Sequence, residues 1–170
     1  MMSSRQSPSA SQVSQAAYPN ALRALLAARA NPANAAPMRT YMKDRFAFFG
    51  IKSPERSALV RGFVAEHGLP PVEEIEAVVR QLWEAPEREC QYAALDLVER
   101  SLKRLPPAAM VWIEQLIVTK SWRDTVDEIA SHLAGALIRC SPGLRDPWMG
   151  RWRAADDLWL RRTVLLFQRG

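Results

Sequence analysis

From Tyr18 onward the apolar positions recur at intervals of three and four, as in Leu22, Leu25 and Leu26, and again in Val72, Ile75, Val78, Val79 and Leu82. That spacing is one face of a 3.6-residue helix. No segment alternates apolar and polar side chains as a half-buried strand would, and proline or glycine punctuates each run. The pattern predicts an all-α chain with helices near 19–30, 33–46, 54–67, 71–84, 87–103, 107–119, 122–139, 144–153 and 157–168. Residues 1–17, rich in Ser, Ala and Gln and without apolar periodicity, read as a disordered tail ahead of a single domain over 18–170.

The starts of alternate helices carry a second regularity. Ser53, Pro86, Ser121 and Asp156 each precede such a start, at separations of 33, 35 and 35 residues. Two helices per unit at a fixed period in the thirties to forties mark an α-solenoid, in which each antiparallel pair buries its apolar face on its neighbours. Ser53 before Pro54, Ser121 with Asp124 three residues on, and Asp156 are the expected helix caps. In stacked repeats, equal offsets project to one strip of the inner surface. Six residues past each start stand Leu59, Tyr92, Asp127 and Arg162. With neighbouring helix axes about 8–10 Å apart, the phenol, carboxylate and guanidinium of the last three repeats are able to converge on one ligand.

The richest chemistry lies in "KSWRDTVDEIA", Lys120 to Ala130. Val126, Ile129, Ala130, Leu133 and Leu137 form the expected buried stripe, leaving Arg123, Asp124 and Asp127 on a flank. Asp124 fits a capping box with Ser121. Asp127 lies beyond the free N–H groups of the first turn and has two readings. One is a surface pair with Arg123 four residues back, contributing about 0.2–0.5 kcal/mol. The other is a carboxylate held in a basic groove to stabilise a cation that forms during reaction. Phosphate loops, HExxH and GxSxG are absent, and His67 and His132 have no partners in sequence.

Composition narrows the setting. Cys90 and Cys140 stand far apart without CxxC spacing, so reduced thiols are expected, with no metal and no cofactor. The N-terminus lacks the apolar run of a secretory signal, and no stretch approaches eighteen uninterrupted apolar residues, which predicts a soluble cytoplasmic protein with no membrane partner. A net charge of +5 is distributed as two basic ends around an acidic middle, a weak pointer to an anionic partner such as nucleic acid.

Four blocks, "MRTYMKDRFAFFGIKSPER" (38–56), "LWEAPERECQYAALDL" (82–97), "LIVTKSWRDTVD" (116–127) and "DDLWLRRTVLLFQ" (156–168), resemble the bacterial DNA alkylation repair family, helical-repeat DNA glycosylases of the AlkD type. The resemblance implies a HEAT-like superhelix whose basic concave face holds duplex DNA and releases cationic N3- and N7-alkylpurines without flipping the base into a pocket. It assigns the catalytic carboxylate to Asp127 and the supporting arginine to Arg162, and it places Tyr41 near the DNA-facing groove. Lys120, Trp122 and Arg123 are expected around them as DNA-binding or supporting groups, with a core role for Trp122 preferred. The alternative function is a non-catalytic helical-repeat module that binds DNA or protein.

Two departures from the family pattern bear on activity. Arg123 stands where the family usually has a second tryptophan, which removes half of an aromatic wall and offers a cation to quench Asp127. The chain stops at Gly170 where the family continues through further helices. The final segment "LWLRRTVLLF" is apolar nearly all round, which predicts a missing C-terminal part, a self-association surface, or poor solubility.

Overall fold

The computed structural model describes residues 17–169. Helix α1 spans Tyr18–Ala27, α2 Pro32–Tyr41, α3 Ser53–His67, α4 Ile75–Glu84, α5 Arg88–Ser101 and α6 Met110–Val118. Helix α7, Arg123–Glu128, passes through a wide π-helical stretch, Ile129–Ala134, into α8, Gly135–Cys140; α9 is Arg145–Arg153 and α10 is Leu158–Leu166. Among the described residues, β pairing is limited to an isolated bridge between Ala47 and Glu87. The expected tail lies, but for Ala17, outside the described residues.

The molecule is an all-α, HEAT-like solenoid. The side chains of alternate helices start at N-caps Lys52, Glu87, Trp122 and Asp157, each 35 residues after the last. The observed period is therefore more regular than the sequence starts suggest, because Ser53 lies one residue after its cap while Pro86, Ser121 and Asp156 lie one residue before theirs. Ser53 is the first residue of α3 rather than its cap, and Asp157, not Asp156, accepts from the backbone N–H groups of Trp159 and Leu160 at 2.7 and 3.0 Å. Asn31, unremarked in the sequence, caps α2 through Ala33 and Asn34.

One continuous apolar core runs through the stack, from Leu22 and Leu26 of α1 past Ile75, Val79 and Leu82 of α4 to Ile129, Leu133 and Trp152. Polar links one repeat apart in sequence tie the layers together. The buried Glu114 of α6 accepts from Trp152 Nε1 and from Arg151 Nη2, and Trp83 Nε1 donates to Thr119. Buried acceptors of this kind must be satisfied, so each link fixes the register of one helix pair on the next.

The segment between α2 and α3 is shorter on helix than the pattern predicted. Lys43 and Asp44 both have φ of 54°, a left-handed conformation that stops α2 at Tyr41 instead of near residue 46. The released chain, residues 42–52, is then held by the buried carboxylate of Glu89, which accepts from the N–H groups of Phe49, Gly50 and Ile51 at 3.0, 2.8 and 3.1 Å. Gly50 is required there: its φ is 93° and a Cβ would stand 2.1 Å from the Asn31 carbonyl oxygen. This strap delivers Lys43 to the groove, Arg45 to the face of Trp122 and Phe46 to the buried Arg88.

The last helix is covered on one side. Leu160, Thr163 and Phe167 are buried, while Leu158 and Leu165 are 64% and 79% exposed. No helix among the described residues is long and apolar enough to cross a membrane.

Candidate active site

The start of α7 is fixed by a buried cation. Arg88, the first residue of α5, has no exposed surface and stacks on Phe46 with its guanidinium carbon 3.9 Å from the ring centre. Its Nε and Nη2 donate to the two carboxylate oxygens of Asp124 at 3.0 and 2.6 Å, Nη2 also reaches Thr125 Oγ1, and Nη1 reaches the Lys120 carbonyl at 2.9 Å. Tyr92 donates its hydroxyl to Asp124 Oδ2 at 2.6 Å. Burial first, and the adjacent Asp124 charge second, push the Tyr92 phenol well above its usual range, so it remains a donor.

This network corrects the expected cap. Trp122, not Ser121, is the N-cap of α7 and has no side-chain capping bond, while Ser121 donates to the Ile117 carbonyl. Asp124 does bind a first-turn N–H, that of Thr125 at 2.7 Å, but its carboxylate is committed to Arg88 and Tyr92. A charge-assisted, bidentate partner outcompetes a neutral serine one turn away.

One turn further along, Asp127 is bound side-on by Arg162 of α10. Arg162 Nε meets Oδ1 at 2.6 Å and Nη2 meets Oδ2 at 2.8 Å, with side chains 35% and 40% exposed for Arg162 and Asp127. The pair spans adjacent repeats, 35 residues apart, as the inner-strip count anticipated for these two, whereas Tyr92, the third residue of that strip, is turned to Asp124 and does not line the same cavity. The alternative partner is excluded: Arg123 is exposed and makes no ion pair with Asp127. Hydrogen bonding to Asp127 raises the Arg162 pKa further, so the guanidinium keeps its charge. Because both side chains are half in water, the pair itself contributes only about 1 kcal/mol or less to stability.

A cavity of about 710 Å³ opens over this pair. Tyr41 and Lys43 border it on the strap side, Arg123, Asp124 and Asp127 on α7, and Trp159 and Arg162 on α10. Trp122 also lines it, half-buried, with Arg45 stacked 4.6 Å above its ring and Trp159 at 6.3 Å. Trp122 is thus a groove residue and not purely core, since Arg45 and Trp159 cover it from the sides but leave an edge to the cavity.

Of the residues singled out in the sequence, the structure brings together Tyr41, Trp122, Arg123, Asp127 and Arg162. Lys120 is placed elsewhere: its ammonium caps the end of α4 through the Glu84 and Ala85 carbonyls at 3.0 and 2.5 Å, and burial holds its pKa below the usual lysine range. Its own backbone adopts φ of 49°, which turns its carbonyl toward Arg88. Sequence reasoning missed Arg88, Arg45 and Lys43. A signal for Arg88 was present, since Asp124 lies 36 residues beyond it, one repeat and one residue on.

The groove joins exposed cations, two indole rings and a carboxylate on the inner strip of a helical repeat, a combination suited to an anionic polymer. The family follows from the whole chain: it belongs to the DNA alkylation repair enzyme family, whose model matches residues 22–170. Among solved structures it is similar to one described as "Predicted DNA alkylation repair enzyme from Enterococcus faecalis", with 30% sequence identity and a TM-score of 0.75 over 82% of this chain. The match spans 65% of that protein's length. No protein of curated function matches the chain.

Proposed function

We propose that the protein is a DNA glycosylase that releases cationic N3- and N7-alkylpurines from duplex DNA in base excision repair. The observation that carries this reading is the Asp127–Arg162 pair in a cavity edged by tryptophans and cations. An alkylated purine already bears positive charge and departs as a neutral base, so no general acid is required. Charge passes instead to the deoxyribose, which becomes an oxocarbenium-like cation, and a carboxylate stabilises that species more than the ground state. At about 4 Å and an effective dielectric near 20 the attraction is worth roughly 4 kcal/mol, on the order of a thousandfold in rate if it is realised only in the transition state.

Arg162 supplies the second element. Its fork geometry suits a backbone phosphate as well as a carboxylate. A phosphate that draws Arg162 from Asp127 uncovers the carboxylate as DNA docks, and Asp127 then also orients the attacking water. Arg123, free of Asp127, adds a cation at the rim together with Lys43, while Tyr41 and Trp122 face the duplex. The reading places the protein in the cytoplasm, with its thiols reduced. The exposed Leu158 and Leu165 of α10 form a self-association surface in it.

One observation favours a second reading, a binding module without catalysis. Both oxygens of Asp127 are engaged by Arg162, which neutralises the charge the chemistry requires. Incubation with methylated duplex DNA separates the two. A glycosylase releases 7-methylguanine faster than spontaneous depurination and leaves abasic sites, whereas a binding module retards the duplex on a gel and releases nothing above background.

A further inference from the structure

Trp122 stands where the strap meets the Asp127 cavity, and its own helix does not fix its ring. It is the N-cap of α7, in extended backbone and without a side-chain capping bond, so the indole leaves the chain ahead of the first turn. A side chain inside a helix lies over the turn before it; a ring at an extended cap has no such turn beneath it. Among the described residues, Trp148 and Trp159 pack on the hydrophobic core and Trp122 does not. What lies against it is Trp159, 6.3 Å away and tilted by 48°, and the Arg45 guanidinium, 4.6 Å from the ring centre. A free edge borders the cavity.

Arg45 has one use. The described residues offer its guanidinium no hydrogen bond and no ion pair, and the stack on Trp122 is what holds it. Its direction is nonetheless preset. The two residues before it, Lys43 and Asp44, are left-handed, and the Asp44 N–H is bound to the Arg39 carbonyl at 2.8 Å. After it, Phe46 lies on the buried Arg88, and the Ala47 carbonyl accepts from the Arg88 N–H at 2.8 Å. Left-handed backbone at residues other than glycine persists only where the surroundings over-determine it. The chain is pinned on both sides of Arg45, and the guanidinium is delivered to the indole.

Such a cation has two possible uses. As a phosphate contact it leaves the ring when a duplex docks and adds affinity, with the salt dependence of one released counterion. As a fixed cover on the indole it keeps the ring's edge toward Asp127. The pinned strap and the ring's lack of any other anchor favour the second use, and a guanidinium stacks on an aromatic face where a compact ammonium does not.

We propose that Arg45 is a positioning residue for the Asp127 site, acting through Trp122: it holds the indole against Trp159 so that one edge of the ring stays turned to the cavity. The effect on rate rests on the glycosylase reading, but the placement of the ring is testable without DNA. Wild type, Arg45→Met and Arg45→Lys are compared by 15N relaxation of the indole N–H groups. The same proteins are assayed for single-turnover release of 7-methylguanine from methylated duplex DNA at saturating protein, with duplex affinity measured alongside.

Arg45 is exposed, so neither change is expected to disturb the fold, and the buried indoles of Trp83 and Trp152 check this. In Arg45→Met the Trp122 indole is expected to lose order while those two keep theirs. The saturating rate is expected to fall roughly tenfold, the scale of a small misplacement near a reacting centre. Arg45→Lys is expected to restore duplex affinity but only part of the rate, because an ammonium replaces the charge without the planar face. Equal order of the Trp122 indole in wild type and Arg45→Met, an unchanged saturating rate, or full restoration of the rate by lysine would overturn the proposal; the last two outcomes make Arg45 a phosphate contact. A wild type that releases no base counts against the glycosylase reading instead, and the order of the Trp122 indole then decides the placement of the ring by itself.

Discussion

Asp124 and Asp127 stand one turn apart on the same helix and differ in what faces them. Asp124 meets a guanidinium without exposed surface and a phenol, so its carboxylate is spoken for as structure. Asp127 meets Arg162 at the edge of solvent, with both side chains partly exposed, and in the proposed function a backbone phosphate takes the place of that carboxylate. Replacing Arg162 with alanine should therefore change folding stability by less than about 1 kcal/mol in urea titrations. The same change should weaken duplex binding and lower the salt dependence of affinity by about one unit of slope, the signature of a lost phosphate contact. The two thiols make a simpler contrast. Burial pushes Cys90 up to about 12, while Cys140 is exposed, so a thiol reagent at neutral pH should modify Cys140 promptly and Cys90 only after unfolding.

At the scale of elements, α7 is aimed by the N-terminal turn of α5. Arg88 joins the Asp124 carboxylate, the Thr125 hydroxyl and the Lys120 carbonyl, and the strap packs Phe46 on its far side. Arg88→Met keeps the bulk but leaves these acceptors short of donors, and should cost about 3 kcal/mol of stability, measurable as a lower urea midpoint. A second link ties α1 to the same region. Arg23 pairs with Glu87, the N-cap of α5, at 2.9–3.0 Å, and the hydrogen bond from Arg23 holds the Glu87 carboxyl below its usual range. The contribution of a depressed carboxylate is complete above its unfolded pKa and disappears as pH falls through the folded one. Melting temperatures of Arg23→Ala and wild type should thus differ at pH 7 and converge in acid below about pH 4.

At the scale of the molecule, helix periodicity and the 35-residue spacing made the solenoid legible, and with it the strip that unites Asp127 with Arg162. Those features depend on local pattern and on repetition, both of which a single chain displays. The cap of α7 and the setting of Trp122 were misread because they depend on contacts across repeats: nothing near Ser121 announces that Arg88 will claim Asp124, and nothing near Trp122 announces Arg45. The end of α2 was missed because left-handed Lys43 and Asp44 carry no glycine to mark the turn. The open side of α10 belongs to this scale also. Leu158 and Leu165 should make the protein associate as concentration rises, and Leu165→Glu should shift it toward a single species in sedimentation.

If the Asp127 carboxylate does the chemistry, its removal shows in single-turnover release of 7-methylguanine from methylated duplex DNA, compared between the wild type and Asp127→Asn. Release well above the spontaneous rate is expected from the wild type, with a loss on the order of a hundredfold or more in the variant and duplex affinity equal or improved. Equal release by the two proteins, or no release by a folded, DNA-binding wild type, would contradict that role of the carboxylate.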